Sequence, residues 1–401
     1  MLTRMGARLL PVRPLLILSL LWLGVSSAEA LPAFARRYNL PCHFCHDGYP
    51  KLSVLGEQFK ERGYRLEDDM TDLSDWIASV PVSLRATMMQ SFEEEGDAET
   101  LGIFKIASAG NLGSRLSYWL DDNYRLDGDG FHRSGVDNLF VRGEILPEEL
   151  YVRGGRIELD IPFTQARSPQ LFVYEIYFAN TGFETDNLGT HQDGVELGGF
   201  LDETTRWSLA VVKGQNSEEQ KRLSESVDGF DANLFGRLMR RFGEGRAGAY
   251  FYLGSNALAR ELPDSSGAPA RVLEWDDGVF RLGADGSVYL GESHLYSTFL
   301  YGRNSNSFAD AANPEGTHEP RSFFGGFIQA DVAVRDQIVI SSRLELLRQP
   351  PPGTNDPSKT FVGFSPGLKL WLHPRVRLAF ELSFRNQSRP TRGRIFIDLV
   401  L

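Results

Sequence analysis

From Pro81 to Leu401 the chain repeats one pattern, segments of about ten residues in which apolar and polar side chains alternate, separated by turn residues. The clearest case is residues 375–384. Val376, Leu378, Phe380, Leu382 and Phe384 share one face, and Arg375, Arg377, Glu381 and Ser383 share the other. Ile338, Ile340, Leu344 and Leu346 oppose Ser341, Arg343 and Glu345 in the same way. The final segment sets Ile395, Ile397, Leu399 and Leu401 against Arg394 and Asp398. Period two repeated this often predicts antiparallel strands, because successive side chains of a strand point to opposite faces.

A soluble sandwich, a solvated barrel and a transmembrane barrel all satisfy that pattern. Four features favour the last. The chain begins with a secretory-type segment, carries no apolar stretch long enough for a membrane helix, and has segments near the roughly 9–11 residues of a tilted spanning strand. It also ends on an apolar strand residue. A lipid-facing apolar side and a lumen-facing charged side explain a chain that is 42% hydrophobic yet has negative mean hydropathy. The expected fold is all-β, an antiparallel transmembrane β-barrel of about 16 strands, preceded by a short α-helical segment. Linkers are tight at Glu144 to Glu149 and Phe242 to Arg246. They are long and polar at Lys213 to Asp228, Leu262 to Ala270, Asn304 to Pro320 and Gln349 to Lys359. Short periplasmic turns and long external loops are the habit of such barrels.

Residues 1–30 read as a signal peptide: Arg4, Arg8 and Arg13, then apolar Leu15 to Val25, then Ala28-Glu29-Ala30 as a cleavage site. The apolar run is shorter than the roughly 20 residues a membrane anchor needs. Removing this segment takes three arginines and one glutamate, moving the net charge from −11 to about −13. That balance excludes the basic stripe of a nucleic-acid binder and gives no attraction to anionic lipid surfaces.

Residues 31–78 differ from the remainder, 79–401. They contain Cys42-His43-Phe44-Cys45-His46, the c-type haem attachment pattern, and the only two cysteines of 401 residues lie inside it. Two thiols three residues apart can each add to a haem vinyl group, with the adjoining imidazole beneath the iron. A structural zinc would need a second ligand pair, and a redox dithiol would need no His46 and would sit near a βαβ pattern. Cys42, Cys45 and His46 are thus candidate ligands of one covalent haem c. After the motif, Leu52, Leu55 and Phe59 recur at helical spacing, with Pro50 suited to the first turn and Gly63 as the stop. A segment this short cannot wall in a macrocycle by itself and must borrow surface from the barrel. The sixth iron position has Met70, after the helix, and Met89 as candidates, and an open site is the third option. In the strand from Pro81, Met89 shares a polar face with Ser83, Arg85 and Thr87, whereas Met88 shares the apolar one. His132, His191, His294, His318 and His373 fall at loops or strand ends and read as solvated.

Two further motifs read as structural. Gly243-Glu-Gly245-Arg-Ala-Gly248 matches GxGxxG but leads into Ala249 to Leu253, a strand, so a tight turn is expected. Asp121, Asp122, Asp127 and Asp129 lack calcium-loop spacing and read as a loop. No HExxH motif occurs.

A single haem motif ahead of a barrel resembles the fused outer-membrane cytochrome–porin family, which includes iron-oxidising cytochromes. The resemblance is sharpest over residues 32–64: Pro32-Ala-Phe34-Ala35-Arg36, Cys42-x-x-Cys45-His46, Pro50-x-Leu52, Gly56, Phe59-Lys60 and Gly63-Tyr64. The family's usual aromatic before the glycine is Leu55 here. The resemblance implies a haem plug in the barrel lumen of a bacterial outer-membrane protein, with Cys42 and Cys45 attached and His46 axial. It implies electron transfer between an extracellular partner such as Fe(II) and a periplasmic c-type cytochrome, in either direction. Whether to class the chain as an oxidoreductase stays open. A solute porin with a haem-bearing structural plug, and a ligand-binding or peroxidase-like haem, are the other readings.

Overall fold

The computed structural model describes residues 33–38, 40, 44–46, 51–66, 82–93, 98–147, 149–162, 172–179, 188–214, 232–262, 271–305, 320–335, 337–350, 358–373, 375–386 and 391–400. The 1–30 signal segment, Cys42, His43, Pro50, Met70 and His318 lie outside them.

Sixteen strands form one closed barrel in which each pairs with its sequence neighbours, all antiparallel. They are β1 (Val82–Glu93), β2 (Glu99–Leu112), β3 (Leu116–Asp127), β4 (Gly130–Leu146), β5 (Leu150–Ile157), β6 (Gln192–Phe200), β7 (Thr205–Lys213) and β8 (Ala232–Phe242). The second half comprises β9 (Gly245–Leu262), β10 (Arg271–Leu290), β11 (Ser293–Asn304), β12 (Arg321–Arg335), β13 (Ile338–Gln349), β14 (Lys359–His373), β15 (Val376–Arg385) and β16 (Arg392–Val400). The seam closes where β1 pairs β16, from Arg85 opposite Val400 to Glu93 opposite Arg392. Closure leaves no sheet edge, so the strand backbone meets its hydrogen-bonding needs without water.

The alternation is resolved as the sequence implies, because lipid and lumen reward opposite side chains. Along β15, Arg377, Ala379, Glu381 and Ser383 are buried inside, while Leu382 and Phe384 are exposed on the outer wall. Along β13, Ser341, Arg343 and Glu345 are buried and Ile340, Leu344 and Leu346 are exposed. The core of this molecule is therefore its lumen, and the apolar outer band is its contact with lipid.

The long linkers all fall at one end of the barrel and every link at the other end is tight, the β3–β4 turn at 128–129 being a tight link at the long-linker end. Gly243 and Gly291 take positive φ of 56° and 59° in the β8–β9 and β10–β11 turns, which glycine adopts without steric cost. The GxGxxG match is thus the expected tight turn. The acidic stretch is not the expected loop: Asp121 and Asp122 lie within β3. Asp121 accepts from Trp119 Nε1 at 2.9 Å and Asn138 N at 2.8 Å. Asp122 accepts from Arg133 Nε at 2.9 Å. Partners on β3 and β4 satisfy both carboxylates within the sheet, which is why no turn is needed there.

Two segments occupy the lumen. One is the N-terminal plug: helix α1 (Ala33–Tyr38), the motif residues Phe44–His46, and helix α2 (Val54–Glu61). The other is the connection between β5 and β6, whose described residues 158–162, 172–179 and 188–191 turn inward. Leu159, Tyr174, Ile176 and Tyr177 are almost wholly buried.

Candidate functional site

Helix α2 begins one turn later than Pro50 suggests, because Ser53 caps it. Its Oγ accepts from Gly56 N at 3.1 Å and donates to Phe44 O at 3.0 Å. The cap therefore also ties the helix to the motif. Ser53 N donates to Cys45 O at 3.0 Å, and His46 and Leu52 form an antiparallel bridge. Gly56 faces the same carbonyl: a Cβ there would stand 2.0 Å from Cys45 O. The helix ends at Gly63 and Tyr64, both with positive φ, as the sequence predicts for Gly63. Tyr64 sits in that disfavoured region because its carbonyl accepts from Asn111 Nδ2 at 3.1 Å and Tyr38 Oη at 3.3 Å.

His46 Nδ1 lies 3.2 Å from Lys51 O. A carbonyl only accepts, so this bond places the proton on Nδ1 and the lone pair on Nε2. That is the tautomer an iron-bound histidine requires, with its second nitrogen held by a backbone acceptor. Cys45 is half-buried beside it. Cys45 and His46 could thus hold the group the motif implies, with Cys42 as the second thiol.

Charge pairs and aromatic rings bind the plug to the wall and to the β5–β6 connection. Lys51 Nζ lies 3.2 Å from Asp331 Oδ2, Lys60 Nζ 3.4 Å from Glu158 Oε2, and Arg241 Nη1 2.8 Å from Glu61 Oε2. Arg246 pairs with Glu57, and Arg142 Nη1 donates to Glu61 O at 2.5 Å. Phe34 packs edge-on to Phe59 at 5.0 Å and stacks on Tyr64 at 5.6 Å, and Tyr64 meets Trp119 of β3 at 5.1 Å. Each aromatic pair contributes roughly 0.5–1.5 kcal/mol beyond area burial. Phe59 is thus spent on α1, and Leu52 is the member of the expected apolar stripe that faces the adjoining cavity.

That cavity lies between α2, the inner wall and the 158–162 segment. Lys51, Leu52, Glu57, Arg153, Arg206 and His294 are among its lining residues. Above it the β5–β6 connection is latched to the far wall. Arg343 donates to Phe172 O at 3.1 Å and Val173 O at 3.3 Å, and Arg385 Nη2 donates to Glu175 Oε1 at 2.6 Å. Tyr174 stacks on Phe327 at 4.2 Å. Burial would raise the Asp160 carboxyl, but Arg206 and Arg237 outweigh it and hold the group below the ordinary carboxylate value.

Of the sixth-ligand candidates, Met89 does face the lumen, packed against Ala379 and Phe396. Two histidines depart from the expectation of solvation. His191 is half-buried, its Nε2 3.0 Å from Asn138 Nδ2, and burial holds its imidazole below the ordinary value. His294 is 5% exposed, stacked on Tyr289 at 4.1 Å. Its signal was present in the sequence: His294, Tyr296 and Thr298 alternate with outward Leu295 and Phe299, so β11 begins before the histidine rather than after it. His132 and His373 are exposed, as expected. Among the described residues no group of three His, Cys, Asp or Glu is placed to hold a metal ion.

No protein-family model matches the chain, and no curated protein matches it. Solved structures do. OmpF of Salmonella typhi, in complex with daunomycin, aligns at TM-score 0.57 and 9% identity, covering 80% of this chain and 97% of its own. The outer-membrane protein OmpT of Vibrio cholerae, as its loop L8 deletion mutant, aligns at 0.55 and 12%, covering 80% and 99%. An anion-selective porin from Comamonas acidovorans aligns at 0.54 and 13%, again covering 80% and 99%. Identities this low speak to fold. With its closed ladder and apolar exterior, the chain has the porin-like fold of a bacterial outer-membrane barrel.

Proposed function

We propose that this barrel is an outer-membrane electron-transfer protein, carrying one covalent haem c on Cys42 and Cys45 with His46 as axial ligand. It exchanges electrons between an extracellular donor or acceptor, Fe(II) among them, and a periplasmic c-type cytochrome or similar carrier. The observation that carries this reading is the His46 Nδ1 bond to Lys51 O inside a plug anchored in the lumen. When bound, the haem supplies reversible one-electron chemistry. The chain's own part is to orient His46, to fix the plug by charge pairs, and to keep the site away from lipid with a polar-lined wall.

The porin likeness favours a second reading, a solute channel in which the haem-motif segment, 31–78, is a structural plug. Outer-membrane vesicles separate the two. Addition of external Fe(II) is expected to yield a low-spin ferrous c-type spectrum, lost in Cys42→Ala and His46→Ala, with negligible single-channel conductance. A haem that dithionite reduces and Fe(II) does not would remove iron as the donor. Conductance typical of porins with a redox-inert plug would establish the channel instead.

A further inference from the structure

We propose that His294 of β11 is the sixth ligand of the haem iron, so that the plug supplies one axial imidazole and the barrel wall the other. This rests on the haem reading above and assigns the coordination position that the sequence leaves to Met70, Met89 or none. His46 Nδ1 is held by the Lys51 carbonyl, and Leu52 pairs with His46 across the bridge. Lys51 and Leu52 then line one side of the inner cavity, and His294 lines it from the wall. The connection between the two sides is short. Lys51 Nζ reaches Asp331 at 3.2 Å, and Asp331 is the direct cross-strand partner of His294. Lys51 also stands 5.3 Å from the Tyr296 ring and 5.9 Å from the Tyr289 ring, the two aromatics that flank His294. Stacking on Tyr289 at an interplanar angle of 7° fixes the imidazole plane, as a ligand with little reorganisation needs. Met89 is committed elsewhere, against Ala379 and Phe396 on the β15–β16 wall, and His191 meets Asn138.

The test uses full-length protein from outer membranes. The ferric wild type is expected to give the electron paramagnetic resonance signature of two imidazoles and to lack a thioether-to-iron charge-transfer band. His294→Ala is expected to lose most of the low-spin signal and to regain it on addition of imidazole. Met89→Leu is expected to change neither, and His294→Met to raise the reduction potential, since a thioether ligand favours the ferrous state. Heat-modifiable gel migration shows whether each variant keeps its barrel. If His294→Ala does not fold, the wild-type spectrum decides: a thioether band overturns the assignment. Covalent haem with an unaltered His294→Ala spectrum overturns the ligand assignment and leaves the haem reading standing. Wild-type protein without covalent haem overturns both.

Discussion

Lys51 Nζ donates to Asp331 Oδ2 at 3.2 Å across 280 residues of sequence, and both side chains are buried. The same oxygen accepts from Tyr296 Oη at 3.0 Å, and the other carboxylate oxygen accepts from Gln329 Nε2 at 2.9 Å. Lys51 thus serves twice. Its carbonyl orients His46, and its ammonium fastens that turn to the barrel wall.

Removing one member of a buried pair leaves an uncompensated charge, at a cost of about 3–5 kcal/mol. Lys51→Met is therefore expected to weaken docking of the plug by that order. Lys51→Met with Asp331→Leu should recover part of the loss, because neither charge is then stranded. Hydrogen exchange of amides 51–66 measures the opening free energy. Unaltered protection in Lys51→Met would mean the pair contributes nothing to holding the plug.

The opposite end of α2 offers a graded version of the same test. Glu57 and Glu61 face Arg246 and Arg241 across the lumen. Glu57→Lys with Glu61→Lys turns two attractions into two repulsions while leaving the barrel ladder untouched. The expected outcome is loss of plug protection with retained heat-modifiable migration, and single-channel conductance above the wild-type level. Wild-type conductance in that variant would show that the β5–β6 connection alone closes the lumen.

The strands were legible because the two sides of the barrel wall demand opposite chemistry, so Arg377 and Glu381 can be told from Leu378 and Phe380 by position alone. The α2 stop was legible at Gly63 for a local reason, the left-handed turn that ends it. What local pattern cannot carry is partnership at long range. The β5–β6 connection has no strand period, and it enters the lumen because Arg343 meets Phe172 O 171 residues away. Asp121 and Asp122 look like loop residues until β4 supplies Asn138 and Arg133. Of the proposed haem donors, Cys42, Cys45 and His46 stand in one motif. The pairing of Lys51 with Asp331 near His294 exists only after closure.

Acid is expected to release the 158–162 segment only well below pH 4. Asp160 accepts from Arg206 Nη1 at 2.6 Å and from Ser208 Oγ at 3.3 Å. Its folded-state pKa lies below the unfolded carboxylate value of roughly 3.9. A depressed carboxyl contributes stability that is fully present above the unfolded value and is lost as pH falls through the folded one. Protection of amides 158–161 should therefore hold from pH 7 to pH 5 and decline in stronger acid. Asp160→Asn should remove that decline and lower protection at neutral pH. A wild-type loss centred between pH 5 and 6 would assign the latch to another group.

Gly56 gives the most local prediction. Its ideal Cβ would lie 2.0 Å from Cys45 O and 2.9 Å from Cys45 C, both backbone atoms that no rotamer change can move aside. Gly56→Ala favours the helix by propensity, by about 1 kcal/mol, so an effect on α2 alone would be stabilising. The clash acts in the other direction and on another element. It must push Cys45 away from α2, stretching the Ser53 N to Cys45 O bond of 3.0 Å and with it the turn that presents His46 to Lys51. Gly56→Ala should therefore fold as a barrel, yet lose protection at Phe44–His46 and carry covalent haem on a fraction of chains several-fold below wild type. The measurement is intact mass together with haem staining on denaturing gels. Wild-type haem loading in Gly56→Ala would mean that the close approach of α2 to Cys45 plays no part in presenting the motif.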